Sequence, residues 1–98
     1  MKVFVTKDHD TSMVSSKMMR LIPLGANQTI VAFGDDEYFF SYQTCVAGFT
    51  AGEGYWRTSE KFSQTTSRHI NKYLGSRKDD ATVVEQSDIE VAMTALAR

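Results

Sequence analysis

Residues Thr29–Tyr42 read TIVAFGDDEYFFSY, and this stretch decides the fold. A β-branched, apolar run (Thr29–Phe33) and an aromatic run (Glu37–Tyr42) flank the turn cluster Gly34-Asp35-Asp36, which is the pattern of a β-hairpin. In the second run a period of two places Tyr38, Phe40 and Tyr42 on one face and Phe39 and Ser41 on the other. Aromatics on both faces imply a strand buried on two sides or lined by an aromatic surface.

Downstream, QTCVAGFT (Gln43–Thr50) continues extended after a bend near Ser41–Thr44. Ala51-Gly52-Glu53-Gly54 supplies a second tight turn, and Tyr55–Thr58 returns as a strand carrying Trp56. Upstream, KMMRLIPL (Lys17–Leu24) is apolar enough for a strand or a short helix, with a strand favoured, and is ended by Pro23, Gly25 and Asn27, while Met1–Thr6 reads as a short strand. The expectation is a single α+β domain over residues 1–98, with an antiparallel meander of three to five strands packed against two C-terminal helices.

The first helix is SQTTSRHINKYL (Ser63–Leu74), with Ser63 or Thr65 as N-cap and Gly75 placed for a left-handed C-terminal cap. Thr66, Ile70 and Leu74 recur every four residues beside His69 and Tyr73, while Arg68, Asn71 and Lys72 take the opposite side. Ser76–Glu85 is a polar connector in which Thr82–Val84 could form a short edge strand. The second helix opens on a capping box, Ser87-Asp88-Ile89-Glu90, and carries Ile89, Ala92, Met93 and Leu96 at helical spacing. The core expected from these periodicities is Phe33, Phe40, Val46, Ile70, Leu74, Ile89, Met93 and Leu96.

Composition narrows the class. A chain of 98 residues with 42% hydrophobic and 23% charged residues is ordinary globular usage for one domain. A domain of this size buries only about 60–65% of its unfolded surface, so a homodimer or a complex is one open route to extra stability. The only cysteine, Cys45, lies among apolar residues and reads as a buried reduced thiol. The N-terminus lacks the apolar run of a signal peptide, and no stretch reaches the length of a membrane span, so the expected location is cytoplasmic, without a membrane partner.

The net charge of −1 hides a polarised pattern. Residues 57–78 carry Arg57, Lys61, Arg68, Lys72, Arg77 and Lys78 against Glu60 alone, whereas residues 79–98 carry Arg98 against Asp79, Asp80, Glu85, Asp88 and Glu90. The basic block is either a surface for an anionic partner or a segment neutralised by the acidic tail folding beside it.

The runs YFFSYQTCVA (Tyr38–Ala47) and KFSQTTSRHINKYL (Lys61–Leu74), with Trp56 between them, resemble a small family of uncharacterised proteins found mainly in phages and prophages. Their shared core reads F-S-Y-x-T-x-V-A followed, after a turn, by S-x-T-T-S-R-H-I-N-x-Y-L. The resemblance spans roughly a third of the chain and implies a phage-type accessory protein, acting in the host cytoplasm. Its matching polar positions are Ser41, Tyr42, Thr44, Ser63, Thr65, Thr66, Arg68, His69 and Asn71.

Catalytic motifs are missing from the sequence: there is no G-x-S-x-G elbow, no phosphate-cradling G-x-x-x-x-G-K-[ST] and no H-x-E with C-x-x-C, so no enzyme activity and no cofactor are expected. Ser63, Ser67 and His69 could be drawn with a distant acid as a triad, but nothing in their spacing fixes that geometry. The favoured role for His69 is structural, satisfied by a strand hydroxyl such as that of Ser41 or Tyr42, with Thr66 a further structural polar group. Asp8-His9-Asp10 lacks a second ligand cluster and reads as a solvated loop, so no metal site is expected. Two functional classes follow. One is a protein-binding or inhibitor module in which the aromatic sheet and the second helix offer a surface to a host or phage protein. The other is a nucleic-acid-binding module in which Arg57, Lys61, Arg68, Lys72, Arg77 and Lys78 meet phosphates while Tyr55, Trp56 or Tyr73 stacks on bases.

Overall fold

In a computed structural model that describes residues 19–96, the aromatic hairpin is the middle of a six-stranded sheet. Its strands are β1 (Met19–Gly25), β2 (Gln28–Phe33), β3 (Asp36–Ser41), β4 (Thr44–Thr50), β5 (Gly54–Thr58) and β6 (Thr82–Val84), lying side by side in chain order. Helix α1 (Gln64–Leu74) runs into a short 3-10 turn (Gly75–Arg77), and α2 (Gln86–Leu96) follows β6. The expected strand Met1–Thr6 and the Asp8-His9-Asp10 cluster lie outside the described residues. No helix among the described residues is long and apolar enough to cross a membrane.

The sheet corrects the expected meander in two respects: it has six strands, and it is mixed. The first five strands pair antiparallel through tight turns, but β6 pairs with β5 in parallel, Trp56 beside Thr82 and Thr58 beside Val84. A parallel neighbour requires a long crossover, and α1 supplies it. The Ser59 N–H donating to the Val84 carbonyl at 2.7 Å ties the end of β5 to the new edge.

Alternation on β3 decides which side each helix occupies. Glu37, Phe39 and Ser41 face α1: Phe39 stacks on Tyr73 with ring centroids 4.6 Å apart and planes within 7°. Tyr38 faces the other side, where α2 lies over β4. A β-bulge at Val46 sits between the pairs Phe39–Ala47 and Phe40–Cys45, and it turns Val46 into the α1-side core with Phe39, Ala47, Ile70 and Leu74. Beyond the last β4–β5 pair, the Cys45 carbonyl accepts from Gln86 Nε2 at 3.0 Å, pinning the start of α2 to β4. Cys45 itself is free and buried.

The core therefore differs from the periodicity-based set. Val46, Ile70, Leu74 and Ile89 are buried as expected, but Phe39 replaces Phe40, and Phe33, Phe40, Met93 and Leu96 are only half-buried. The reason is coverage. Phe33 and Phe40 lie on the α2 side of β2 and β3, whereas α2 packs on β4. The capping box is displaced as well: α2 starts at Gln86, ahead of Ser87, and the Glu85 carbonyl receives the Asp88 and Ile89 N–H groups. Glu90 instead accepts from the Gln86 side chain at 3.2 Å.

Candidate functional site

On the α1 side, the residues singled out in the sequence assemble around the end of β3. Ser63 is the N-cap of α1, its hydroxyl accepting from the Thr66 N–H at 3.1 Å, so it is committed to the helix start and not to His69. Thr66 and His69 point toward the sheet, where Ser41 Oγ lies 3.1 Å from Thr66 Oγ1 and 2.8 Å from His69 Nδ1. Ser41 is buried, and both of these partners belong to α1. A hydroxyl held this way locks helix to strand and offers substrate no access, which is a structural arrangement and not that of an exposed nucleophile. Tyr42 begins the two-residue connection to β4. The pairing of Ser41 with Thr44 leaves it a left-handed backbone, φ 59°, with its ring 5.8 Å from the His69 imidazole.

The cations of the basic block are not gathered at one point. Lys61, Arg68 and Lys72 are exposed, the latter two one turn apart on the outer face of α1, about 6 Å along its axis. Arg57 is half-buried on β5 and donates from Nε to the Thr58 carbonyl at 3.2 Å. Arg68 donates to the Thr65 hydroxyl, and Arg77 lies over the Tyr55 ring at 4.9 Å, a cation–π contact. These three guanidinium groups thus have a carbonyl, a hydroxyl and a ring as partners.

The aromatics expected beside those cations are divided by the sheet. Tyr55 and Trp56 are consecutive on β5 and point to opposite faces. Tyr55 packs against Phe49 and edge-on against Tyr73 on the α1 side. Tyr73 is committed too: it stacks on Phe39 and donates from its hydroxyl to Glu37 Oε1 at 2.9 Å. Burial, and then that carboxylate, push the Tyr73 phenol well above its ordinary range.

Trp56 belongs to the α2 side. Its indole N–H donates to the Thr50 hydroxyl at 3.0 Å, and its ring lies across the backbone of Gly48. Tyr38 stands beside it, ring centroids 6.2 Å apart and planes at 59°. Burial, then the charge of Asp36, raise the Tyr38 phenol, so it stays neutral at physiological pH. Together these rings wall a cleft of about 220 Å³ between the sheet and α2, closed by Val84, Ile89 and Ala92 and rimmed by Glu53 and Asp88. An adjoining hollow of about 90 Å³ shares Glu53, Trp56 and Val84.

Sequence reasoning named Trp56, and the aromatic sheet with the second helix as a surface, but not the cleft that Tyr38, Trp56 and Val84 form with α2. The usable signals were Gly48 inside a strand, which marks a close approach, and the shared parity of Tyr38 and the residue opposite Gly48. Among the described residues no group of three or more His, Cys, Asp and Glu side chains is placed to hold a metal ion.

The described chain is thus a small α+β protein with a helix on each side of a mixed sheet and an open aromatic cleft on one of them. Residues 12–91 match the model of a family of unknown function (DUF8033), and the chain belongs to that family. Neither the curated proteins nor the solved structures give a match.

Proposed function

We propose that the chain is a protein-binding module, with the α2 side of the sheet as its contact surface. The observation that carries this reading is the open cleft walled by Tyr38 and Trp56, next to a helix whose outward residues include the apolar Val91, Ala92 and Ala95. Val91, 69% exposed, adds apolar surface to the outer side of α2. Small size and the resemblance to phage and prophage proteins fit an accessory or inhibitor module whose partner is a host or phage protein. The test is affinity capture from host cells with the parent and with Ala92→Trp, which fills the cleft from an exposed helix position. A partner held by the parent and lost by the variant supports the reading; capture indifferent to the variant overturns it.

A second reading, nucleic-acid binding, is favoured by one observation: Arg68 and Lys72 are exposed side by side on α1. In a gel shift, binding through phosphates weakens steeply between about 50 and 200 mM salt. The Arg68→Glu/Lys72→Glu variant then lowers the salt slope by about 0.9 for each duplex phosphate that it no longer neutralises. The protein-binding reading expects no such salt-dependent complex with DNA or RNA.

A further inference from the structure

The α2-side cleft has a chemistry more specific than apolarity. Its lining includes two aromatic rings, Tyr38 and Trp56, tilted by 59° to each other, and aromatic faces are electron-rich. Its rim carries Glu53 from the β4–β5 turn and Asp88 from the first turn of α2, both exposed, and no cation is among its lining residues. With these two carboxylates and no cation among its lining residues, the mouth of the cleft is negative. An apolar occupant would fill the floor and leave these carboxylates unanswered; an anion would be repelled. A group with an apolar stem and a cationic head answers both parts at once, the stem along Val84 and Ile89 and the head between ring faces and carboxylates.

We infer that this cleft takes the side chain of an arginine or lysine projecting from a partner protein. The inference rests on the protein-binding reading and supplies its chemistry. Arginine is the better fit, because its planar guanidinium can stack on an indole while donating to a carboxylate.

Trp56 is the only tryptophan of the chain, so its fluorescence reports on the cleft directly. The experiment titrates the whole protein with N-acetyl-arginine methylamide, N-acetyl-lysine methylamide and the uncharged N-acetyl-norleucine methylamide. Both cationic probes are expected to give a saturable change with Kd of about 1–10 mM, the range open to a fragment of this size. The norleucine probe is expected to bind at least about fivefold more weakly. Glu53→Gln/Asp88→Asn, two exposed substitutions that remove the rim charge, should weaken the cationic probes about five- to tenfold while the melting temperature stays close to the parent's. Equal binding of norleucine, unaltered binding by the double variant, or no saturable change with any probe overturns the inference. If the probes fail but capture of a partner still depends on Ala92, the protein-binding reading stands and only the ligand class falls. If the probes bind but capture is indifferent to Ala92, the cleft is a site for a free small cation, and both the reading and the protein origin of the ligand are overturned.

Discussion

Gly48→Ala should destabilise the protein through a single added methyl group. Gly48 is buried in β4 between Tyr38 of β3 and Trp56 of β5. A Cβ built there collides with the six-membered ring of Trp56 and with the Glu37 carbonyl oxygen. The carbonyl belongs to the β3 backbone and cannot yield without disturbing the ladder. The indole could swing, but only by giving up its bond to Thr50 and its packing on Tyr38. Overpacking of this kind costs about 1–3 kcal/mol, and breaking the indole hydrogen bond about 1 kcal/mol more. Alanine recovers about 0.5–1 kcal/mol over glycine from the unfolded chain. The net cost of about 1–3 kcal/mol corresponds, in a domain of this size, to a melting temperature lower by roughly 5–20 °C. Circular dichroism and Trp56 fluorescence would follow it in parallel, and the fluorescence of the folded variant should already differ. Trp56→Ala in the Gly48→Ala background removes the indole half of the clash, so the two single-variant costs should sum to more than the double variant shows. A Gly48→Ala melt within about 2 °C of the parent, or strict additivity, would refute the placement of Trp56 over β4.

Three further outcomes follow from the packing. Ile70→Ala empties a fully buried position beside Phe39 and Leu74 and should cost about 2–5 kcal/mol in denaturant melts; an unchanged midpoint would mean α1 does not rest on β3 as described. Ser41→Ala deprives both Thr66 and His69 of their partner and should cost about 1–3 kcal/mol, and His69→Gln should likewise act on stability. A His69→Gln variant that melts like the parent but no longer binds a partner would instead make this a site. Burial pushes the Cys45 thiol from 9.0 up to about 12, so the folded state keeps a proton that the unfolded state releases. That contribution is complete below pH 9 and declines by about 1.4 kcal/mol per pH unit as pH rises toward 12. Cys45→Ala should flatten the alkaline limb of the stability profile; a limb of unchanged slope would refute the assignment to this thiol.

How far the sequence discloses this molecule depends on the range over which each signal acts. The hairpin around Gly34, the turn at Gly52 and Gly54, the Ser63 cap and the Thr66–Ile70–Leu74 face are written in residues a few positions apart, and the structure has them close to where local pattern puts them. The bulge at Val46 has no such signature, because it depends on what faces it across β3, and it brings Val46 into the α1-side core beside Ala47. The hydrogen bond between Ser41 and His69 joins residues 28 apart in sequence, yet it could be anticipated as one of two options, since a helix laid on a strand must find its half-buried imidazole a hydroxyl.

The parallel β6 was within reach of the same reasoning. Thr82–Val84 reads as an edge strand, and a strand that joins β5 after an intervening helix has crossed the sheet face, so its direction repeats that of β5. That step carries functional weight. Val84 reaches the wall beside Trp56 because β6 lies parallel to β5, and the chain leaving β6 then enters α2 on the face opposite α1, bringing Asp88, Ile89 and Ala92 to the cleft. The aromatic floor and Glu53 come from the antiparallel part of the sheet, and Asp88 with the outer wall from the segment after the crossover. Charge follows this topology in part: Arg68 and Lys72 lie on α1 and Asp88 and Glu90 on α2, on opposite faces of the sheet, while Asp79 and Asp80 follow Arg77 and Lys78 directly in the turn before β6.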